Sequence, residues 1–564
     1  MKKNLSIFLY SSLFMLIIGS CKVDETIYDR ETTETFLRGQ GDVAPLVNGV
    51  YSVFYDGRSY RTVLHYLFNC WGPETYVPSS GPRGSSNTKS YDATNVYASL
   101  YPWASYYTII RASNSLMARI EPVEMNADYK SRIIGEMYYM RAFAYFNLVR
   151  LYGKLPIFTE NVISGMDLRR PRSSVDDVYA LIFSDLKEAA ARCVPIDKLP
   201  VAETGHATKG AAHGLLSSAY LTYGNYLDAN NRSGKAREAY QMAVNYADTV
   251  LQSGKYALTP KFNDLFDITK ENTQYALNGE VLFGIRFSYI AGLNVGSIYP
   301  LEHLPVTYFG VTGMQPNGNG NGVIRMQAWF YDKYTTGDYA KDYRGEFSFL
   351  TKWPKWGSPT NMQLCYPNVK NLATETVENG FPYLGKYKDP TSKEPGNHGN
   401  DMFYLRLAEI YLIKAEAENE LNGPTASALS AFNKLRQRAR NANGIPRTQP
   451  YDITAADVPT KEDFRMKIYD ERSLELLGES HAFFDNVRMR YKDNKRTMME
   501  YINNDFIKTI PNGFPTYNAA TKTWGGGRAY AATYNWDPRL LLLPVPIQEM
   551  NANPAMQGDQ NPGW

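Results

Sequence analysis

The stretch Ile133-Ile-Gly-Glu-Met-Tyr-Tyr-Met-Arg-Ala-Phe-Ala-Tyr-Phe-Asn-Leu-Val-Arg-Leu-Tyr152 decides the fold class. Ile133, Met137, Met140, Ala144, Leu148 and Leu151 recur at spacings of three and four, which lays them on one face of a helix. Gly153 stops that helix and Pro156 prevents its resumption. Working outward, a second helix is predicted over 175–192, with Ser173 or Ser174 as N-cap. A third covers 208–223, where Ala211, Ala212, Ser217, Ser218 and Ala219 are small enough for close helix approach. A fourth runs 235–252 and ends at Gly254. The pattern returns at 401–421, where Leu405, Ala408, Leu412, Ala415 and Asn419 share a face. Gly423 and Pro424 break it, and 427–440 forms the partner helix.

These helix–turn–helix pairs, rich in Ala and Tyr, look like degenerate tetratricopeptide units. Between them, 256–400 has a different texture. Gly318, Gly320 and Gly322 alternate with asparagines, 352–359 reads Lys-Trp-Pro-Lys-Trp-Gly-Ser-Pro, and short alternating runs such as 281–287 look like strands. The expected class is mainly α, with a loop-rich insert of short strands and a coil-rich tail after about residue 501. The expected divisions are a signal peptide at 1–20, an N-terminal helical region at 21–255, a variable region at 256–400 and a C-terminal helical region with tail at 401–564.

The N-terminus tells where the protein resides. Lys2 and Lys3 precede an apolar run from Leu5 to Ile18, the length of a secretory signal and too short to span a bilayer. Gly19 and Ser20 then stand directly before Cys21, which resembles a bacterial lipobox. That resemblance implies cleavage before Cys21 and its acylation, so that the mature chain is anchored to a membrane rather than spanning it. Lys22, Asp24 and Glu25 resemble the export signal of Bacteroidota surface lipoproteins.

The balance of 60 Lys and Arg against 57 Asp and Glu gives a net charge of +3, which argues against a nucleic-acid partner. Cys21, Cys70, Cys193 and Cys365 are too few and too scattered for a disulfide framework, and no CxxC suggests zinc. The six histidines, His65, His206, His213, His303, His398 and His481, form no ligand spacing, so no metal site is expected. There is no GxSxG elbow and no Walker loop, and no catalytic residue is assigned. Glu471, Glu475 and Glu479 share a helix face, and Arg472 and Arg488 nearby point to ion pairing rather than a carboxylate site. Glu136, Arg141, Arg406 and Glu409 sit among apolar helix positions, where charges are paired.

Separated segments converge on one family. Gly135-Glu136, then Arg141 to Phe146 and Leu151 to Pro156, resemble the signature helix of SusD/RagB-type lipoproteins. Trp103, Tyr107, Ile110 and Asn114 match that family's first long helix, and Arg406 to Leu412 with Ala415-Glu416-Ala417 its second signature helix. Asn433, Arg436, Arg438 and Ala439 match the next, and Glu471-Arg472, Glu475-Leu476, Glu479, Phe484-Asp485 and Arg488 another. Leu543 to Pro546, Glu549, Asn553-Pro554 and Gln560 to Gly563 resemble its ending, which usually closes on tyrosine where this chain has Trp564. The resemblance spans the chain. It implies a SusD-like helical scaffold with an irregular ligand-binding region, carried on an outer-membrane, cell-surface lipoprotein. It further implies a protein that captures glycan, or peptide in the RagB branch, for a SusC-like TonB-dependent transporter, and that is not an enzyme. No cofactor is implied, and whether calcium supports a loop is not legible. A surface glycan hydrolase and a purely structural helical adaptor are the readings from other classes.

Sugar recognition requires flat aromatic faces for the C–H faces of pyranose rings and planar polar groups for the hydroxyls. Among 44 Tyr and 8 Trp, Trp353 and Trp356 in their Pro/Gly-rich stretch are the leading candidates. Trp71 and Tyr76, at the head of the polar stretch 78–95, come second. Tyr299, Tyr308 and Tyr366 follow, and Trp329 in Ala328-Trp329-Phe330-Tyr331 reads as core.

Overall fold

A computed structural model describes residues 37–70, 72–77, 92–308, 320–442, 444–510, 514–528 and 537–564. The expected signal peptide, Cys21 and Trp71 lie outside the described residues. Among the described residues, two short helices, α1 (Val43–Tyr51) and α2 (Val63–Cys70), precede the long ones. Those are α3 (Tyr101–Ile120), α4 (Ala127–Tyr152), α5 (Val175–Arg192), α6 (Lys209–Ala229) and α7 (Ser233–Leu251). Each packs on its neighbour in sequence, and α7 packs on α12 (Leu407–Asn422), which continues the array with α13 (Ala426–Ala439) and α14 (Lys461–Glu475). The remaining helices are short: α8 (Glu271–Gln274), α9 (Tyr299–His303), α10 (Ala328–Lys333), α11 (Tyr343–Ser348), α15 (Ala482–Arg488), α16 (Met498–Asn504) and α17 (Ile547–Ala552). The fold is a mainly helical scaffold with a strand-containing region.

Local chemistry sets these bounds. The Asn126 side chain accepts from the Tyr129 N–H, so α4 starts several residues before its apolar stripe, and Gly153, at φ 70°, ends it. Ser174 caps α5 by accepting from the Asp177 N–H, and Thr208 caps α6 from the Ala211 N–H. Close approach explains Gly135: a Cβ there would lie 2.7 Å from Arg192 Cβ, where α4 crosses the end of α5.

The strands are β1 (Thr75–Tyr76), β2 (Val281–Ile285), β3 (Arg325–Met326), β4 (Phe349–Leu350), β5 (Lys352–Lys355), β6 (Ser358–Cys365) and β7 (Glu375–Asn379). They continue with β8 (Tyr383–Leu384), β9 (Met402–Arg406), β10 (Asn441–Ala442), β11 (Ile445–Pro446), β12 (Phe514–Asn518) and β13 (Thr523–Arg528). One sheet has the order β1-β3-β8-β4 and another β5-β6-β7, with β6 and β7 parallel. Two sequence expectations need correcting. Residues 402–406, expected as the start of a helix, form β9, paired antiparallel with β2 from Val281↔Arg406 to Ile285↔Met402. Both strands are buried at every position, and a continuous apolar run does not reveal its period. The tail expected as coil carries the β12–β13 hairpin, with Tyr517 opposite Trp524.

Buried charge joins the strand region to the helices. Arg406 Nη1 lies 2.8 Å from Glu280 and 2.6 Å from Glu475, and its Nε 2.7 Å from Glu479. Arg344 reaches Asp342 and Glu471 at 2.6 Å and Glu475 at 2.8 Å. Arg436 pairs with Glu471 at 3.0 Å, Lys386 with Glu479 at 2.9 Å, and Arg438 with Glu475. These side chains are almost wholly removed from water. Glu136 and Arg141 are likewise paired, with Arg132 and with Asp185 at 2.8 Å, and Glu409 faces Arg472 at 3.6 Å. The charges singled out in the sequence are therefore interior ion pairs.

A neutral histidine pair lies between α2 and α9. His65 Nε2 and His303 Nε2 are 3.1 Å apart, and Tyr299 stacks on His65 at 4.0 Å. Burial pulls His303 down to about 3 and, with the neighbouring His303, holds His65 well below its ordinary value. The unfolded chain protonates both near pH 6.5 and the folded chain only far below, so each withdraws stability as pH falls under about 6.5. We expect the imidazole C–H resonances of His65 and His303 to stay fixed between pH 8 and pH 5. A shift with a midpoint near 6.5 would show that the pair is hydrated.

Candidate functional site

The structure separates the sequence candidates by depth. Trp353 is 1% exposed; its indole N–H donates to Thr307 Oγ1 at 3.1 Å and its ring meets Tyr383 edge-on at 5.3 Å. With Leu304, Tyr308, Cys365 and Tyr383 it forms a small core of its own. Tyr308 is 7% exposed and Tyr299, 1% exposed, donates its hydroxyl to Tyr60 O at 3.2 Å. Trp356 is half-buried in the two-residue turn Trp356-Gly357, where Lys355 pairs with Ser358 and the Trp356 N–H donates to Thr307 O at 2.8 Å. Trp353 and Trp356 thus do not make a joint platform. The first lies on the buried face of β5 and the second at the tip beyond it. We expect Trp353→Ala to cost about 3–5 kcal/mol of stability and Trp356→Ala less than about 0.5 kcal/mol, read from urea denaturation midpoints. Equal effects would contradict this assignment.

Tyr366 lies beyond the far end of β6 from Trp356, about 20 Å away, because the irregularity between Met362 and Ser358 takes up part of the strand's length. There it joins a row of half-buried rings. Tyr331 meets Tyr366 edge-on at 6.0 Å, Tyr366 meets Trp524 at 5.6 Å, and Trp524 meets Tyr517 at 5.1 Å. The Trp524 indole donates to Asn368 O at 3.0 Å, and Tyr517 Oη accepts the Lys370 N–H at 3.0 Å. At the other end of β12, Tyr76 stacks on Phe381 at 4.3 Å, and Phe514 stands edge-on to both at 5.1 and 5.5 Å. Phe514 and Tyr517 are three residues apart on one strand, about 10 Å. The odd spacing sends the two rings to opposite faces of β12, so the β12–β13 hairpin carries two separate aromatic groups, one on each face. The sequence singled out Tyr76 and Tyr366 as candidates, but not their ring neighbours Tyr331, Phe381, Phe514, Tyr517 and Trp524.

Polar groups accompany the rings. The Tyr366 hydroxyl donates to Asp332, with oxygens at 2.8 and 2.9 Å. Burial pushes Asp332 up against the lowering effect of that bond, and pushes the Tyr366 phenol up as well. Thr516 and Asn518 are exposed on the hairpin. Aromatic faces bordered by a fixed carboxylate, amides and hydroxyls suit a ligand that is apolar on its faces and polar on its rim.

Metal and acid–base chemistry fit less well. Among the described residues, Glu136, Glu203 and His206 offer ligand atoms within 4.8 Å of one another. Arg132 already bridges the two carboxylates, at 3.2 Å from Glu136 and 2.9 Å from Glu203, so the positive charge there is a guanidinium. Glu471, Glu475 and Glu479 are buried and committed to arginines and Lys386.

Comparison with known proteins gives one consistent family. Residues 225–564 match the profile of the SusD family, and residues 36–221 match one described as starch-binding, associating with the outer membrane. The chain is 23% identical to SusD-like protein P25 of Formosa agariphila over 576 residues, which covers 96% of this chain and 97% of that protein. The crystal structure of a SusD homologue from Bacteroides thetaiotaomicron superposes with a TM-score of 0.76 at 21% identity, covering 95% of this chain and 99% of that one. Surface glycan-binding protein A from Bacteroides uniformis superposes with a TM-score of 0.64 at 18% identity, covering 92% and 99%. At these identities the structural likeness speaks for the fold.

Proposed function

We propose that this chain, which belongs to the SusD family, binds glycan at the cell surface and delivers it to a SusC-like TonB-dependent transporter in the outer membrane. The observation that carries the glycan reading is the row of half-buried rings Tyr331, Tyr366, Trp524 and Tyr517, bordered by Asp332. Flat rings stack on the C–H faces of sugars, and the bordering groups orient the hydroxyls. Trp356, at the other end of β6, offers a second contact to a chain long enough to reach it. A structural neighbour named for surface glycan binding supports the same class of ligand, and the N-terminal profile supports the outer-membrane setting.

The protein acts by capture rather than turnover. Its conspicuous glutamates are spent on interior ion pairs, and a glycosidase needs two carboxylates facing each other across the sugar. Attachment to the membrane falls to acyl chains on Cys21; among the described residues, no helix is long and apolar enough to cross a bilayer. Cys21→Ala is expected to move the protein from the membrane fraction to the soluble fraction, and detergent extracts of the wild type to carry the transporter with it. A membrane-bound Cys21→Ala variant, or an extract without transporter, would count against the proposal.

A further inference from the structure

A cavity that shares no residue with the row of aromatic rings lies where the end of α4, the start of α5, the end of α6, α15 and the tail residues Leu541 and Leu542 meet. It measures about 260 Å³, and its walls are mostly carbon, from Val149, Tyr226, Phe484, Val487, Leu541 and Leu542. Three arginines reach it, Arg150, Arg488 and Arg490, and no aspartate or glutamate among the described residues lines it. Arg488 is balanced by Asp485 at 2.7 Å and Glu416 at 3.0 Å. Arg150 is held by dipoles and rings instead. Its guanidinium carbon lies 4.0 Å from the ring centre of Phe146 and 3.7 Å from that of Phe484. Its Nε donates to Phe146 O at 3.2 Å, and its Nη2 to Asn147 Oδ1 at 2.7 Å and Tyr404 Oη at 2.9 Å, which leaves Nη1 with no acceptor among the described residues. Arg490 donates only from Nη1, to Lys495 O at 2.7 Å and Asn494 O at 3.3 Å.

Carboxylates do stand behind these walls, in two smaller hollows beyond Arg150 and Arg490, but each has a partner of its own. Glu479 takes Arg406 at 2.7 Å, and Glu409 faces Arg472 and His481, each at 3.6 Å. Glu420 takes Lys461 at 2.7 Å, Glu462 accepts from Asn494 at 2.7 Å, and Asp228 accepts from Tyr240 Oη at 3.0 Å. At the start of α5, Asp176 turns to Arg232 at 2.7 Å. The neutral lining groups are committed as well. Asn225 donates to Tyr240 Oη at 3.2 Å and accepts from Arg488 at 2.8 Å, and Thr222 donates to Ser218 O at 2.9 Å. Thr497 Oγ1 donates to Glu500 at 3.0 Å and accepts its N–H at 3.2 Å. The cavity therefore offers a ligand guanidinium N–H groups set in an apolar wall. An amine would meet like charge, and sugar hydroxyls would find few acceptors for their protons. An ionised carboxylate only accepts, and arginine holds it by charge-assisted hydrogen bonds.

We infer that this cavity binds a small organic carboxylate, with its charge at the free edge of Arg150, within the field of Arg490, and its carbon body against Val487, Leu541 and Leu542. Small-molecule sites are mostly apolar with a few placed polar groups, and this one is near the lower end of their volumes. The test titrates two probes of one shape, phenylacetate and its neutral amide, into the full mature chain at neutral pH by calorimetry. The acid is expected to bind more tightly than the amide by about tenfold or more, the gain from one hydrogen bond between charged groups. Arg150→Gln is expected to abolish that preference, and Arg150→Lys, which keeps the charge, to retain part of it. Arg490→Gln gives up only bonds to nearby carbonyls, so it is expected to leave the melting curve in place and to cut the preference by about threefold. Should Arg150→Gln fail to fold, Arg490→Gln decides alone. Glycan retardation by Arg490→Gln should match wild type. Equal binding of the two probes, no binding of either, or a preference undiminished in Arg490→Gln would overturn the inference.

Discussion

Glu475→Gln is expected to lose about 3–5 kcal/mol of folding stability, the usual penalty for breaking a buried ion pair from one side. The substitution keeps the shape of the side chain and removes its charge. Glu475 receives Arg344 at 2.8 Å and Arg406 at 2.6 Å as well as Arg438, all within the interior. Those guanidiniums also serve Glu280, Asp342, Glu471 and Glu479, so the loss spreads through every pair that fixes the strand region on α14. A domain has only about 5–15 kcal/mol in total, and the variant is expected to be partly unfolded at 37 °C. Burial pushes the Glu475 carboxyl up, but Arg438, Arg406 and Arg344 together hold it well below its ordinary 4.5. Its contribution is therefore complete above about pH 4.5 and is lost as pH falls through the lower, folded value. Urea denaturation of wild type and variant at pH 7 measures the effect. A difference below about 1 kcal/mol would mean that water reaches the network.

The second large effect concerns binding. Tyr517→Ala combined with Trp524→Ala is expected to weaken oligosaccharide binding by about tenfold to a hundredfold, a factor of ten being about 1.4 kcal/mol. Both rings are half-buried on one hairpin, and among the described residues their polar contacts reach Lys370 N and Asn368 O. Cores elsewhere do not include them, so the melting temperature should change little. Trp356→Ala, at the distant end of β6, should leave short oligosaccharides bound as before. Calorimetric titration separates these outcomes. A binding loss in Trp356→Ala with none in the double variant would move the site to the β5–β6 tip.

The helical scaffold was legible because α4, α5 and α6 are capped by Asn126, Ser174 and Thr208, α4 stops at Gly153, and the helices carry apolar faces of their own, as at Ala211. The interior ion pairs were legible at Glu136, Arg141, Arg406 and Glu409 as charges standing among apolar positions, but the nearby arginines of Glu475, Arg472 and Arg488, pair with Asp485 and Glu416, and Glu475 takes its partners from distant segments. β9 was not, because Met402-Phe-Tyr-Leu is buried on both faces and shows no period. The site was harder still. Trp353 and Trp356 are an odd number of positions apart, which in an extended strand sends them to opposite faces, but only the strand assignment makes that visible. Trp524 stands before three glycines, which weaken any strand signal, and its partnership with Tyr517 depends on the hairpin register. Its contact with Tyr366 joins residues 158 positions apart in a chain of 564, a proximity that only the folded structure supplies.

The most direct measurement runs wild type and the Tyr517→Ala, Trp524→Ala double variant through native gels cast with a panel of polysaccharides, and assays the same mixtures for new reducing ends. Glycan capture at the hairpin requires retardation of wild type by at least one glycan, loss of that retardation in the double variant, and no new reducing ends with either protein. New reducing ends, or a wild type that no glycan retards, would contradict it.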